Sequence, residues 1–98
     1  MAKNRFLEIT YRKGKPLAAY LYLPRSPGDT SRRTEQQHAG LVIDYAEDGR
    51  PIGIEITAPG KLTLASLNQA LAVANQEPAS ADEVAPLLAA GGKPSAVG

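Results

Sequence analysis

The sequence predicts an α+β domain: an antiparallel sheet of four to five strands, built as two hairpins of a β-meander, with one C-terminal helix packed on one face. Apolar and polar residues alternate over 5–11 and again on both sides of an Asp-Gly turn within 41–57, which is the period-two pattern of half-buried strands. Gly49 can adopt the positive φ that a tight hairpin loop needs. An apolar stripe at helical spacing then follows over 63–75. At 98 residues, the chain is long enough for one domain.

The second predicted strand, residues 17–23, differs from the first because it has no polar face. Its sequence is LAAYLYL, and a strand that is apolar on both sides is usually covered on both sides. A single helix covers only one side, so we expect a second layer or a second subunit over the other, and self-association is the favoured interpretation. The resulting interface candidates are Leu17, Tyr20, Tyr22 and Tyr45.

The segment between the two hairpins is polar and rich in turn formers. Residues 24–31 contain two prolines and one glycine and are predicted to form a loop. Residues 32–39 are polar throughout, and the sequence leaves open whether they form a weak edge strand or extend the loop.

The predicted helix begins after Thr63, a good N-cap residue, and ends near Asn75. Its apolar stripe includes Leu64, Leu67 and Leu71. We expect this stripe to pack on the side of the sheet that carries three isoleucines of the second hairpin, namely Ile52, Ile54 and Ile56.

The domain is predicted to span residues 1–77, with a tail over 78–98. Ser80 and Glu83 have the spacing of a capping box, which predicts a short helix at 81–90. Pro86 would lie inside that helix, at a cost of about 3 kcal/mol relative to alanine in a helix interior. We therefore expect a short helix, followed by disorder over 91–98.

Charge is unevenly distributed along the chain. Eight of the 11 lysines and arginines lie in the first 33 residues, together with only two of the ten acidic residues. A basic segment of this kind can bind nucleic acid, or it can form one of two complementary surfaces. The basic residues are scattered over strand ends and loops, which favours the second interpretation. The nucleic-acid candidates are Arg12, Lys13, Arg32 and Arg33.

Composition also limits the chemistry and the expected location. The chain has no cysteine, which excludes disulfides and cysteine-ligated zinc and is consistent with a reducing cytoplasm. It has no apolar run of signal-peptide or membrane-span length, so we expect a cytoplasmic protein without a membrane partner.

The sequence predicts no catalytic, metal-binding or cofactor-binding residues and no cofactor. His38 is the only histidine, and its spacing from carboxylates matches no common ligand motif. Asp44 and Glu55 lie on the polar faces of adjacent strands and could form a carboxylate dyad, although two solvated charges with Arg50 or another basic side chain nearby is the favoured interpretation. We expect a protein that is not an enzyme.

Five segments give the chain a family resemblance, namely Ile9–Tyr11, Ala18–Leu23, Ile43–Tyr45, Asp48–Arg50 and Gly53–Ile56. Over residues 7–75 they resemble the short prokaryotic domains catalogued as domain of unknown function 2283, and D-G-R-x-x-G-I-E-I is the most specific part. The resemblance implies a small β-meander with a C-terminal helix and no established activity. Some members look as though they are encoded beside small toxin-like proteins, which implies an antitoxin-like role with a small protein partner.

The chain departs from the family pattern at two positions of the second strand. Leu17 stands where many members have an acidic residue, and Tyr22 stands where the family has arginine or another polar residue. Both changes make the strand more apolar and favour a position that is buried or faces a subunit. The predicted function is therefore protein–protein interaction by a small, non-enzymatic domain, with nucleic-acid binding through the basic N-terminal third as the alternative.

Overall fold

The structure, a computed structural model, describes residues 5–89 and contains a five-stranded antiparallel sheet. The strands are β1 (Phe6–Arg12), β2 (Lys15–Tyr22), β3 (Arg33–Gln37), β4 (Leu41–Tyr45) and β5 (Pro51–Ile56). Two helices follow, α1 (Leu64–Val73) and the short α2 (Ala85–Ala89). The predicted α+β class is confirmed, with a five-stranded antiparallel sheet, β-hairpins and a helix after the sheet. The predicted β-meander is wrong, because β2 pairs with β5 and not with β3, its successor along the chain.

The strands are arranged in the order β1-β2-β5-β4-β3, so β5 lies at the centre of the sheet. This strand has three fully buried isoleucines and is the most apolar partner that β2 and β4 can share. The polar segment 33–37, which the sequence left undecided, forms the edge strand β3 and pairs with β4. Its side chains are mostly exposed, which an edge strand tolerates and a central strand does not.

The core lies between one face of the sheet and the helices. Leu67 and Leu71 of α1 are fully buried in one cluster with Ile54 and Ile56, and Leu64 packs against that cluster. The predicted side of the sheet for the helix is therefore confirmed for Ile54 and Ile56, and Ile52 is also fully buried.

The start of α1 is fixed by two reciprocal hydrogen bonds. The Thr63 hydroxyl accepts from the backbone N–H of Ser66 at 3.0 Å, and the Ser66 hydroxyl accepts from the backbone N–H of Thr63 at 3.1 Å. This capping box satisfies two backbone donors at the helix N-terminus, and it confirms Thr63 as the predicted N-cap.

Residues 78–89, which the sequence analysis placed in a tail, pack against the core. Val84 and Leu87 are fully buried in the same cluster as α1. The guanidinium of Arg5 forms an ion pair with Glu83, with Nε and Oε2 2.8 Å apart, and so ties this segment to the first strand. A single turn of 3-10 helix precedes α2, and Pro86 is the second residue of α2, where a helix needs no N–H donor.

The disorder predicted for 91–98 lies outside the described residues. Within residues 5–89, no helix has both the length and the apolar character required to cross a membrane.

Truncation of Leu67 tests whether α1 is an integral part of the core. We expect Leu67→Ala to lower the free energy of unfolding by about 2–5 kcal/mol, because the side chain is fully buried and its removal leaves a cavity. Urea unfolding followed by circular dichroism would measure the loss. Val73→Ala is the matched control on the same helix, since Val73 is 52% exposed and its truncation should change stability by less than about 0.5 kcal/mol. Equal effects of the two substitutions would contradict this packing.

Candidate functional site

The face of the sheet opposite α1 is the candidate site, and we call it the open face. The buried residues of α1 and α2 all join the core on the other side, so no helix of residues 5–89 covers this face. Strand register determines which side chains share it, because directly paired residues of neighbouring strands lie on the same side. The open face carries Phe6 and Glu8 of β1, Tyr20 and Tyr22 of β2, Gly53 and Glu55 of β5, and Asp44 of β4.

Three aromatic rings form a continuous strip along one side of the open face. The ring centroids of Phe6 and Tyr22 are 5.8 Å apart, and those of Tyr22 and Tyr20 are 4.6 Å apart. The Tyr22 hydroxyl donates to Glu8 at 3.0 Å, and this hydrogen bond is the main cause that raises the pKa of Tyr22. The guanidinium of Arg25 lies 5.5 Å from the centre of the Tyr22 ring, so the strip has a cation at one end.

Tyr20 reaches across the central strand to a buried carboxylate on β4. Its hydroxyl donates to Oδ2 of Asp44 at 2.9 Å. The residue between them on β5 is Gly53, and a Cβ at that position would overlap the Tyr20 ring. Gly53 therefore provides the space that the ring occupies, which is a packing role rather than a turn role.

Asp44 is only 5% exposed, so the expectation of two solvated charges is wrong for this residue. Its Oδ1 atom is buried and has no hydrogen-bond donor among the described residues. The expected nearby base does not compensate it, because Arg50 forms ion pairs with Asp48 of the adjoining turn and with Asp29 of the loop between β2 and β3, with N···O distances of 2.7 and 2.9 Å. The sequence analysis did not predict this burial, because the pattern of β4 is that of an ordinary half-exposed strand. The burial becomes evident only when Tyr20 and Gly53 are seen beside Asp44 in the structure.

Glu55 lies on the same face as Asp44, diagonally across the pairing of β4 with β5. Burial, followed by the Asp44 carboxylate and a hydrogen bond to it, raises the pKa of Glu55 above its ordinary value of 4.5. The pKa of Tyr20 is also raised, chiefly by burial and then by the hydrogen bond to Asp44. In its protonated form, Glu55 is a hydrogen-bond donor on the same face as Asp44.

A shallow recess lies on the open face next to this carboxylate pair. Its volume is about 180 Å³, and its lining includes Glu8, Thr10, Ala18, Tyr20 and Glu55. Two carboxylates thus border the recess, and Tyr20, which also borders it, donates to Asp44. None of the ion pairs within residues 5–89 involves these three acids. Residues 5–89 contain no group of three or more histidine or acidic side chains suited to a metal ion. The arrangement is suited to an organic cation, for which two carboxylates beside an aromatic ring are good partners.

The structure brings together only two of the four interface candidates. Tyr20 and Tyr22 are neighbours in the aromatic strip. Tyr45 is buried on the opposite face, where its hydroxyl donates to Glu35 at 3.0 Å and Arg33 lies 4.0 Å from the centre of its ring. Leu17 is half exposed beside the irregularity in the β1–β2 pairing.

The four nucleic-acid candidates lie at two distant corners of the sheet. Arg12 and Lys13 are at the turn that ends edge strand β1, whereas Arg32 and Arg33 are at the start of edge strand β3. Because β1 and β3 run in the same direction at opposite edges, the end of one and the start of the other are diagonally opposed. These residues do not form one continuous basic surface.

Comparison with known proteins gives one match. Residues 18–58 match a family model described as "Protein of unknown function (DUF2283)". The chain resembles this family. The matched stretch is narrower than the 7–75 expected from the sequence, and it runs from β2 to just beyond β5, so it includes Tyr20, Asp44, Gly53 and Glu55. No curated protein and no solved structure matches the chain.

Substitution of Gly53 tests the packing of Tyr20 across β5. A methyl group at this position would displace the Tyr20 ring and remove the donor from buried Asp44, so we expect Gly53→Ala to cost about 1–3 kcal/mol of stability. In a Tyr20→Ala background the methyl group meets no ring, and the same substitution should cost less than about 0.5 kcal/mol. A double-mutant cycle measured by urea unfolding compares the two. Equal costs in both backgrounds would contradict the contact.

Replacing Glu55 with glutamine tests whether folding strengthens proton binding by Glu55. Because the folded chain raises the pKa of Glu55 above 4.5, it binds this proton more tightly than the unfolded chain does. The resulting stabilisation is complete below the unfolded-state pKa and is lost as pH rises through the folded-state pKa. We therefore expect wild-type stability to fall relative to that of Glu55→Gln as the pH rises above the ordinary pKa of 4.5.

Urea unfolding at several pH values measures this difference. Glu47→Gln is the control, because Glu47 lies in an exposed turn and should leave the pH profile unchanged. Parallel curves of stability against pH for wild type and Glu55→Gln would argue against a raised pKa of Glu55 in the folded chain.

Proposed function

We propose that this chain is a non-enzymatic domain that acts by protein–protein contact, and that it self-associates through the open face. The absence of cysteine makes the reducing cytoplasm a suitable location. The observation that carries the proposal is the aromatic strip of Phe6, Tyr22 and Tyr20, which lies on the side of the sheet that α1 leaves uncovered.

The chemistry of the strip supports a binding role. Aromatic residues are enriched in protein–protein interfaces, because each ring buries a large apolar area while its polar group keeps a hydrogen bond. Phe6 is 64% exposed and has no such polar group, so covering it removes apolar surface from water at no polar cost. The two tyrosine hydroxyls already bind Asp44 and Glu8, so these rings can be covered without leaving a donor unpaired.

A second copy is a suitable partner for this face because an antiparallel sheet with one helix-covered face can bury its other face against the same surface of another molecule. Such packing makes a β-sandwich from two sheets about 10 Å apart. The contact is isologous, which is the commonest form of association between identical chains.

Substitution of Phe6 tests the proposal. We expect wild type to dimerise at micromolar concentration, and Phe6→Ser to weaken the dimer by about tenfold or more, in line with the loss of an exposed aromatic anchor. Sedimentation equilibrium gives both dissociation constants. Val73→Ser is the matched control, because it removes a similarly exposed apolar side chain from the outer side of α1. A wild type that stays monomeric at several hundred micromolar would refute self-association, and equal weakening by both substitutions would place the contact elsewhere.

A further inference from the structure

The open face carries acidic and basic groups that are not neutralised within one copy of the chain. Glu8 and Glu55 border the recess. Arg25 lies at the other end of the aromatic strip, against the Tyr22 ring, and its guanidinium donates to the backbone oxygen of Asp29 at 3.2 Å. Arg25 takes part in none of the ion pairs within residues 5–89.

The recess and Arg25 lie along the line of the same strand. Tyr20 is paired with Glu8 on one side and with Glu55 on the other, and the recess lining continues to the next pair, Thr10 and Ala18, so the recess extends from Tyr20 to the side away from Tyr22. Tyr22 is two residues further along β2, or about 7 Å at an ordinary strand rise, and Arg25 lies against its ring. The order along the strip is therefore recess, Tyr20, Tyr22 and Arg25.

Two-fold symmetry brings these opposite charges together. Consider a second copy stacked on the open face, with the symmetry axis crossing the strands between Tyr20 and Tyr22. Each Tyr22 then faces Tyr20 of the other copy, and each Arg25 faces the recess of the other copy, because the axis reverses the order along the strip. Sheet-to-sheet spacing of about 10 Å is within the combined reach of an arginine and a glutamate side chain.

We propose that the open faces of two copies pair in this way, with Arg25 of each copy bound in the acidic recess, between Glu8 and Glu55, of the other. This inference rests on the proposed self-association and specifies its register. Arginine fits the recess well, since its planar guanidinium can bind carboxylates in pairs and stack on an aromatic ring at the same time. The pairing would supply the positive charge that Glu8 and Glu55 lack within one copy.

A charge-swap experiment tests the register. One variant is Arg25→Glu and the other is Glu8→Lys/Glu55→Lys. Each variant alone opposes like charges at both ends of the interface, so we expect its homodimer to be weaker than that of the wild type by about tenfold or more. In an equimolar mixture, both contacts again pair opposite charges, so a heterodimer should form with an affinity near that of the wild type.

Native mass spectrometry, with one variant carrying a mass tag, identifies the heterodimer, and sedimentation equilibrium gives its dissociation constant. The controls change charge by the same amount away from the open face: Arg32→Glu for the first variant and Glu47→Lys/Glu77→Lys for the second. Circular dichroism checks that each variant folds. Should the double substitution prevent folding, Glu8→Lys takes its place, because Glu8 is exposed and its replacement should be tolerated.

The outcomes separate this register from self-association itself. Weak homodimers together with a restored heterodimer support the register. A wild-type dimer that Arg25→Glu leaves unchanged, or a weakened Arg25→Glu dimer that the mixture does not restore, refutes the register while leaving self-association in place. A monomeric wild type refutes both.

Discussion

Burial of the β5 isoleucines beneath α1 is the constraint on which the rest of this structure depends. Ile54 and Ile56 need apolar neighbours on both sides in the sheet, and β2 and β4 provide them. A central β5 forces the polar segment 33–37 to the edge. It also commits Gly53 and Glu55 to the opposite face, because side chains alternate along a strand. The geometry of the open face therefore follows from the packing of the core.

The register around β5 brings together three polar side chains from three strands. Tyr20, Asp44 and Glu55 are far apart in sequence, and only the pairing of β2 with β5 and of β5 with β4 makes them neighbours. A buried carboxylate beside a second carboxyl group is unfavourable unless hydrogen bonds or a proton compensate it. The Tyr20 hydroxyl supplies one such bond, and burial together with the Asp44 carboxylate raises the pKa of Glu55, which favours the neutral form of Glu55.

The sequence predicted the elements better than it predicted the contacts between them. Alternation, the Asp-Gly turn and the Thr63 cap are local signals, and each led to the correct element. Whether residues 32–39 form an edge strand or extend the loop was undecided, because the segment is polar throughout and lacks the alternation that marks a half-buried strand. Tyr45 was grouped with Tyr20 and Tyr22 because all are tyrosines on predicted strands, yet the phase of β4 places its ring on the core side. The burial of Asp44 was missed for a similar reason, since it depends on a ring that crosses β5 from a strand 24 residues away in sequence.

The matched family stretch and the open face overlap only in part, and the difference has a physical meaning. Residues 18–58 include the carboxylate pair, Tyr20, Gly53 and Arg25, but they exclude Phe6 and Glu8 of β1 and the whole of α1. The polar centre of the open face is thus formed by residues of the matched stretch, whereas Phe6, the most exposed ring of the aromatic strip, comes from edge strand β1 outside it.

In the proposed dimer these two parts of the open face contribute differently to binding. The carboxylates and Arg25 set the register through charge, and Phe6 adds apolar area at the edge. A register set by charge should respond to salt, because exposed charges are screened within about 10 Å at 0.1 M ionic strength. The apolar contribution should not weaken in the same way, so the salt dependence of dimerisation would measure how much of the affinity each part provides.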